Sequence, residues 1–339
     1  MRGVAAGRSA QRACERSSDW RRGGAASPDP ELVRHMGHQL IIRLLQTLVS
    51  LLGMSLLIFI LVRASGDPVD LMRTSTTTEA EIANIRAQWG LDKSYPEQYW
   101  VFVSGLARGD LGSSLIQRRP VTTMIGEALP NSLSMSVLAF VIGIGLALVL
   151  GVLAATKRDT WLDNGVKFLA ILGQALPGFW VAIVAIYIFS VQLRVLPTSG
   201  VGGPANYVLP VLTLAFFLMP GMLRLVRSSM LDVLGSEYVK LARIKGLPER
   251  TVIWKHALRN ALIAPLTAAG AIFAGLITGA VILENVFAWP GVGRLLVTAV
   301  SGRDFPVVQG ITIMVAAVVL VINLLVDIAY AYVDPRIRF

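Results

Sequence analysis

Six long apolar runs constrain this chain more than any other feature of its sequence. They lie at about residues 40–62, 132–155, 166–193, 207–225, 263–283 and 307–330. Each is long enough to cross about 30 Å of hydrocarbon as an α-helix. Hydrophobic residues make up 54% of the 339 residues and charged residues 15%, and the mean hydropathy is +0.64. Soluble globular proteins do not have this composition, so we predict an all-α polytopic membrane protein with six transmembrane helices.

The polar segments divide the chain into four predicted regions. Residues 1–38 are rich in Arg, Gly, Ser and Ala without an apolar period, which predicts a disordered tail. The first transmembrane helix follows at 40–62. Residues 63–130 form the one long polar stretch and are predicted to fold as a small helical insert. Residues 131–339 then make a core domain that contains the other five transmembrane helices.

The insert carries helix signals of its own. Thr78 precedes Glu81, and Ser94 precedes Glu97, at the three-residue spacing of a capping box. A third short amphipathic helix is predicted at 120–129. The aromatic residues of the insert are predicted to form its small core, with contact to an external protein as the alternative; they are Trp89, Tyr99 and Trp100.

The distribution of Lys and Arg predicts the orientation in the membrane. Residues 224–262 contain eight basic and three acidic residues, whereas residues 64–130 contain six basic and eight acidic residues. Short loops rich in Lys and Arg stay on the cytoplasmic side. The segment 224–262 is therefore predicted to face the cytoplasm, and the insert is predicted to face the outside. With six spans, both termini of this multi-pass protein of the cell membrane are then predicted to be cytoplasmic.

No motif for catalysis or metal binding stands out. The chain lacks a P-loop, a His-Glu-x-x-His motif, a G-x-S-x-G elbow and paired carboxylates within the apolar runs. Its single cysteine, Cys14, excludes an intramolecular disulfide and a cysteine-based metal site. The net charge of +10 comes from bases in loops without interleaved aromatic residues, which argues against nucleic-acid binding. We therefore expect no enzyme activity, no metal site and no cofactor in this chain.

The apolar runs offer a transport pathway but no energy source. They lack the mid-membrane charged residues of an ion-coupled secondary transporter, and that class is kept as the alternative. Gln174 and Pro177 are the candidate pathway residues, although helix packing explains Gln174 equally well. Pro177, Pro210 and Pro220 predict kinks or helix ends. The energy is therefore expected to come from another subunit.

The segment 237–262 is basic and amphipathic. Apolar residues recur at helical spacing from Tyr238 onwards. Gly246 followed by Pro248 predicts a helix end, a sharp corner and the start of a second helix. On these residues alone, a helix on the membrane surface and a docking site for a partner protein fit equally well.

Strings along the chain resemble the membrane subunits of binding-protein-dependent ABC importers, and among them the oligopeptide and dipeptide permeases. EYVKLARIKGL at 237–247 and HALRNAL at 256–262 are similar to the cytoplasmic loop of that group. Of the general permease signature in this loop, only Ala242, Gly246 and Leu258 are kept. Further strings extend the resemblance over about residues 40–339: GDPV (66–69), GLDKSYPEQY (90–99), GDLGSS (109–114), LPNSL (129–133), ENVFAWPGVGRLL (284–296), RDFPVVQG (303–310) and DPRIR (334–338).

The resemblance implies a type I ABC importer permease fold and the import of di- or oligopeptides. It implies a second homologous permease, two cytoplasmic ATPase subunits that bind ATP and Mg²⁺, and an external substrate-binding protein as partners, besides membrane lipid. Permeases of the same group carry nickel chelates, glutathione or sugars, and these are the alternative substrates. Within the loop 229–262, the resemblance assigns ATPase coupling to Glu237, Tyr238, Lys240, Leu241, Ala242, Arg243, Gly246 and Leu247.

Overall fold

The computed structural model describes residues 30–67, 69 and 78–333. The chain divides into two compact units, Met1–Val49 and Ser50–Phe339, and the side-chain contacts described below lie within the second. Regular structure in the described part is helical, apart from an isolated β-bridge between Ser113 and Pro120. The helices are α1 (Pro30–Ala64), α2 (Glu79–Gln88), α3 (Tyr95–Ala107), α4 (Val121–Thr156), α5 (Trp161–Ala175), α6 (Gly178–Ala185), α7 (Pro204–Leu234), α8 (Glu237–Ile244), α9 (Glu249–Thr251), α10 (Leu258–Ala261), α11 (Ile263–Val286), α12 (Val292–Ser301) and α13 (Phe305–Val333).

The long helices match the predicted apolar runs in order. Four described segments are long and apolar enough to cross a membrane: Leu45–Ala64, α4, α7 and Phe305–Leu324. A fifth candidate is α5 with α6 and its π-helical continuation Ile186–Gln192, a pair bent by 104°. The remaining predicted run coincides with α11, which has 24 residues. The predicted all-α membrane fold is confirmed, and length and apolar composition give four or five spans among the described residues.

The three prolines that the sequence singles out in the apolar runs, Pro177, Pro210 and Pro220, behave differently. Pro177 ends α5, and the residue before it, Leu176, is extended with φ −88° and ψ 131°. This is expected because the proline ring disfavours the α conformation of the preceding residue. Pro210 and Pro220, by contrast, lie inside the unbroken 31-residue helix α7. Of the two predicted outcomes, a helix end was wrong at both, and a kink stays a prediction. Both rings are buried, and neighbouring helices stabilise α7 around them.

Helices α4 and α7 pack closely against each other in the core. A Cβ built on Gly143 would lie 3.0 Å from the carbonyl oxygen of Ala215, and one on Gly151 would lie 2.8 Å from Val226. Ala147, between the two glycines, is completely buried. Small residues at every fourth position thus let the two backbones approach closely, as the sequence pattern predicts. A second series of small residues at this spacing, Ala271, Gly275 and Gly279 in α11, differs, because a Cβ on either glycine would meet nothing within 4 Å.

The insert is only partly as predicted. Thr78 caps α2, since its Oγ1 accepts from the Glu81 backbone N–H at 3.3 Å, and the Thr78 N–H donates to the Glu81 carboxylate at 2.8 Å. At the start of α3, the Ser94 N–H donates to the Glu97 carboxylate at 3.1 Å. Two boundaries were wrong. The helix predicted at 120–129 is the first part of α4, and α1 already begins at Pro30, within the predicted tail. The rest of the tail, residues 1–29, lies outside the described residues.

The predicted aromatic core of the insert is not formed. Trp100 is 73% exposed. Tyr99 instead packs against α1, with its ring centroid 5.4 Å from that of Phe59 and its hydroxyl 3.0 Å from the hydroxyl of Ser55. Phe102 of α3 also stacks on Phe59, with ring centroids 6.5 Å apart. Helix α3 therefore attaches to the first span through two aromatic residues and leaves Trp100 exposed.

Candidate functional site

The loop after α7 contains the predicted helix, corner and second helix. Helix α8 ends at Ile244, and Gly246 adopts φ +75°. The Gly246 N–H donates to the Arg243 carbonyl oxygen at 2.9 Å, and the Leu247 N–H donates to that of Ala242 at 3.3 Å. These two bonds form a Schellman motif, the helix end that requires a left-handed residue. The glycine is needed for its backbone conformation alone, because a Cβ at Gly246 would meet nothing within 4 Å.

Two side-chain contacts brace this corner. The guanidinium of Arg243 donates to both carboxylate oxygens of Glu249, at 2.7 and 3.2 Å, and so ties α8 to the first turn of α9. This hydrogen bond holds the pKa of Glu249 below and that of Arg243 above its ordinary value. The Nδ2 of Asn260 donates to the Tyr238 hydroxyl at 2.8 Å, which ties the first turn of α8 to α10. Helix α8 is thus tied to α9 at its C-terminal end and to α10 at its N-terminal end.

Helix α8 has one face in the core and one face open. Val239 is completely buried, and Ala242 is 8% exposed. They belong to the loop cluster, a group of buried side chains from α4, α5, α7, α8 and the 252–261 segment that includes Val166, Ala170, Val226, Met230, Val252, Ala257 and Ala261. Protein interiors are close-packed, so the loop cluster is a continuous path of side-chain contacts from α8 to α5 and α7.

The open face of α8 combines apolar surface with charge. Three apolar side chains of α8, and that of Leu247 just beyond the corner, are exposed by 37 to 81%, with Ile244 at the upper limit. The ammonium of Lys240 pairs with Glu237 at 2.7 Å on the same helix. An exposed apolar patch with a polar rim is typical of an interaction surface. The apolar members are Tyr238, Leu241, Ile244 and Leu247.

The two predicted pathway residues lie apart from this loop in sequence, at the bend between α5 and α6. Gln174 and Pro177 are both exposed there. Next to them, a Cβ on Gly173 would overlap Pro220 of α7, so the bend is packed directly on that helix. The role of these residues in a pathway stays a prediction.

A buried ionic cluster beside the loop was missed from the sequence. The carboxylate of Asp163, at the start of α5, is fully buried and accepts two hydrogen bonds from the Arg227 guanidinium of α7, at 2.7 and 2.8 Å. Lys167 lies 2.8 Å away on α5, and the N–H of Asp159 donates at 3.1 Å. A bidentate pair supported by further donors satisfies a buried carboxylate. This ion cluster fixes the end of α5 to α7 near the loop cluster.

A second buried carboxylate, also missed, organises the opposite end of the core. Glu284 is 1% exposed. It accepts hydrogen bonds from the backbone N–H of Gly293 at 2.7 Å and of Arg294 at 3.1 Å, and from the Ser132 hydroxyl at 2.5 Å. The Ser132 oxygen in turn accepts from the N–H of Val292. Glu284 and Ser132 together therefore cap the N-terminus of α12.

The residues around this cap explain two of the strings noted in the sequence. A Cβ on Gly291 would overlap the Glu284 carboxylate, which accounts for glycine at that position. Trp289 is completely buried, and its indole N–H donates to the Asn131 carbonyl oxygen at 3.0 Å. Asn131 donates through Nδ2 to the Pro290 carbonyl oxygen at 3.0 Å. The segments 129–133 and 284–296 thus fold against each other.

A third buried carboxylate joins the insert to the core. Asp304, between α12 and α13, is 3% exposed. It accepts hydrogen bonds from the hydroxyl of Ser114 and, at 3.0 Å, from the N–H of Leu115. The segments 109–114 and 303–310 meet at this contact. Among the described residues, no cluster of His, Cys, Asp or Glu is arranged to hold a metal ion.

Comparisons with known proteins agree with this fold. Residues 147–339 match the family described as the binding-protein-dependent transport system inner membrane component, and residues 36–136 match its N-terminal part. Among solved structures, the methionine ABC transporter MetNI in an inward-facing conformation gives a TM-score of 0.54. That match is 17% identical and covers 62% of this chain and 96% of the other, so it supports the type I ABC importer permease fold alone.

Three relatives are similar over nearly their whole length. A Brucella abortus protein provisionally named as a peptide transport system permease is 40% identical over 306 residues, covering 88% of this chain and 98% of its own. The oligopeptide transport system permease AppB of Bacillus subtilis is 35% identical, covering 90% and 100%. The glutathione transport system permease GsiC of Pectobacterium atrosepticum is 38% identical, covering 88% and 97%. The chain therefore belongs to the binding-protein-dependent ABC importers, as a membrane permease of their peptide transport family.

Proposed function

We propose that this peptide permease is driven by cytoplasmic ATPase subunits that bind the open face of α8. The observation that carries the proposal is the geometry of the corner at Gly246. An exposed apolar face stands on a helix that is buried on its other side and braced at both ends. A partner that moves this helix moves the loop cluster with it.

The proposed cycle is alternating access. When two ATPase subunits bind ATP and Mg²⁺ and close, they would displace α8, and the loop cluster would rotate α5 and α7. ATP can bias the two states of the pore only by binding them with different free energy, so the contact has to be stiff. The backbone bonds at Gly246 and the buried contacts of Val239 and Ala242 in the loop cluster support that stiffness. ATP hydrolysis takes place in the partner subunits, and this chain binds no nucleotide.

The proposed orientation follows from charge. The segment 224–262, with its excess of basic residues, faces the cytoplasm together with both termini, and the insert and α12 face the outside. An external substrate-binding protein then delivers cargo to the insert side. A second, homologous permease completes the pore as a heterodimer. The cargo is a di- or oligopeptide, in line with the names of the relatives, one of which transports glutathione.

The driving force separates this proposal from an ion-coupled transporter. The permease, reconstituted into liposomes with its partner permease, its ATPase subunits and its binding protein, should take up a radiolabelled peptide only when ATP is enclosed on the ATPase side. Collapse of the proton and sodium gradients by ionophores should leave this uptake unchanged. Uptake that persists without ATP and stops with the ionophores would contradict the proposal.

A further inference from the structure

A cavity of about 450 Å³ lies between the first turns of α4 and helix α12, on the side that the proposed function assigns to the outside. This volume falls within the range of about 300–1,000 Å³ that is usual for ligand pockets. Met124, Ala128 and Leu295 supply apolar walls, and Gln117 and Asn131 supply polar ones. Polar and apolar groups thus contribute about equally to this lining, which suits a small polar molecule.

The framework of the cavity is rigid before any ligand binds. One wall is held by Asn131, which donates to the Pro290 carbonyl oxygen at 3.0 Å and accepts from the indole of Trp289 at 3.0 Å. The other wall, α12, is held by Glu284 through the N–H groups of Gly293 and Arg294. A pocket that is formed in advance loses less conformational entropy when it binds.

Charged groups of both signs line this cavity. Arg119 and Arg294 are cationic, and Glu127 is anionic. The Arg294 guanidinium is fixed in place by a hydrogen bond from Nη1 to the Ala288 carbonyl oxygen at 2.6 Å. The α12 N-terminus does not serve as an anion site here, because Glu284 and Ser132 already accept from its N–H groups. An anion in the cavity would therefore be bound by guanidinium groups.

The pair Arg119–Glu127 can open at little cost. Its two atoms lie 2.5 Å apart, but the side chains are 45% and 60% exposed. Exposed ion pairs contribute little to stability. A ligand that carries both charges can therefore take the place of Glu127 at Arg119 and the place of Arg119 at Glu127. A carboxylate would bind the guanidiniums, and an ammonium group would bind Glu127.

We infer that this cavity is an entry subsite for a short zwitterionic peptide, with Arg294 and Arg119 binding its C-terminal carboxylate and Glu127 its N-terminal ammonium group. A free peptide carries both charges, whereas an acidic segment of a partner protein would need cations alone. The inference rests on the proposed peptide transport, and it adds a contact of this chain with the cargo outside the membrane.

The test uses three peptides and the full chain in lipid nanodiscs, without ATPase subunits or nucleotide. Binding of tri-alanine, tri-alanine amide and N-acetyl-tri-alanine is measured by saturation-transfer NMR titration. Tri-alanine should bind at least about tenfold more tightly than the amide, because the amide lacks the carboxylate that makes a charge-assisted contact. It should also bind more tightly than the acetylated form, which lacks the ammonium group. Equal binding of acid and amide would overturn the inference. Equal binding of tri-alanine and its acetylated form would also overturn it, in favour of an acidic partner segment.

Variants locate the subsite. Arg294→Gln should weaken tri-alanine binding at least about tenfold, and Arg294→Lys should restore part of it, because it restores the charge. Arg108→Gln is the matched control, since Arg108 is an exposed arginine of the insert outside the cavity lining. If Arg294→Gln and Arg108→Gln bind tri-alanine equally, the peptide does not bind in this cavity.

The outcome is separable from that of the proposed function. If tri-alanine does not bind but uptake depends on ATP, the inferred subsite is wrong and the proposed coupling stands. If tri-alanine binds but uptake does not depend on ATP, the proposed coupling is wrong and the subsite stands.

Discussion

Replacing Glu284 with alanine should destabilise the protein by about 3 kcal/mol or more. The change leaves two backbone N–H groups at the start of α12 without acceptors in a buried site, and each such loss costs about 1–3 kcal/mol. A cavity adds to the cost. The measurement is the midpoint of thermal unfolding of the purified chain in detergent, followed by near-ultraviolet circular dichroism, which reports on the buried Trp289.

Two controls isolate the cap from other effects. Glu284→Gln keeps an oxygen for both N–H groups and an amide donor for Ser132, so it should lose much less stability than the alanine variant. Asn285→Ala removes an exposed neighbour whose side chain bonds only to the Val281 carbonyl oxygen of its own helix. The midpoint of thermal unfolding of Asn285→Ala should be close to that of the wild type. If Glu284→Ala and Asn285→Ala unfold at the same temperature, Glu284 is not the cap of α12 that the geometry indicates.

Replacing Gly246 with valine should abolish peptide uptake while the protein still inserts into the membrane. At φ +75° a β-branched side chain is strained by well over the roughly 1 kcal/mol that an ordinary L-residue costs there. The Schellman bonds are then lost, and α8 is no longer held at its angle to α9. The measurement is peptide-stimulated ATPase activity of the purified importer, set beside peptide uptake.

The space around Gly246 makes the matched control clean. Because a Cβ there meets no atom within 4 Å, the effect of a substitution follows its backbone preference and not its size. Gly246→Asn should keep most of the activity, since asparagine tolerates the left-handed region, and Gly246→Ala should be intermediate. Stimulated ATPase activity in Gly246→Val equal to that in Gly246→Asn would refute the role of the corner.

The sequence predicted what local chemistry determines. The apolar runs, the capping signal at Thr78 and the corner at Gly246 depend on residues within one or two turns of each other, and all three are present. At Gly246 the backbone conformation restricts the residue, and steric crowding does not. The prolines of α7 show the limit of local rules, since tertiary packing keeps that helix continuous through Pro210 and Pro220.

The contacts that hold the core could not be predicted from one sequence. Asp163 and Arg227 are 64 residues apart, Ser132 and Glu284 are 152 apart, and Ser114 and Asp304 are 190 apart. No periodic pattern links residues at such separations. The nearest local signal was the pair of glycines in GVG, where a Cβ at either position would crowd Glu284. A charged residue at the end of an apolar run, followed by closely spaced glycines, would have marked the site.

Cross-linking at Ile244 tests most directly whether α8 is where the ATPases act. Ile244 is 81% exposed on the open face of α8, and Cys14 is the one native cysteine, so Ile244→Cys in a Cys14→Ser background carries a single thiol. A short heterobifunctional reagent for thiols and amines should join this thiol to an ATPase subunit in membranes that contain the whole importer. Trp100→Cys, which is 73% exposed on the insert, should not reach the ATPase subunit. Cross-links to the ATPase from Trp100→Cys and none from Ile244→Cys would contradict the account.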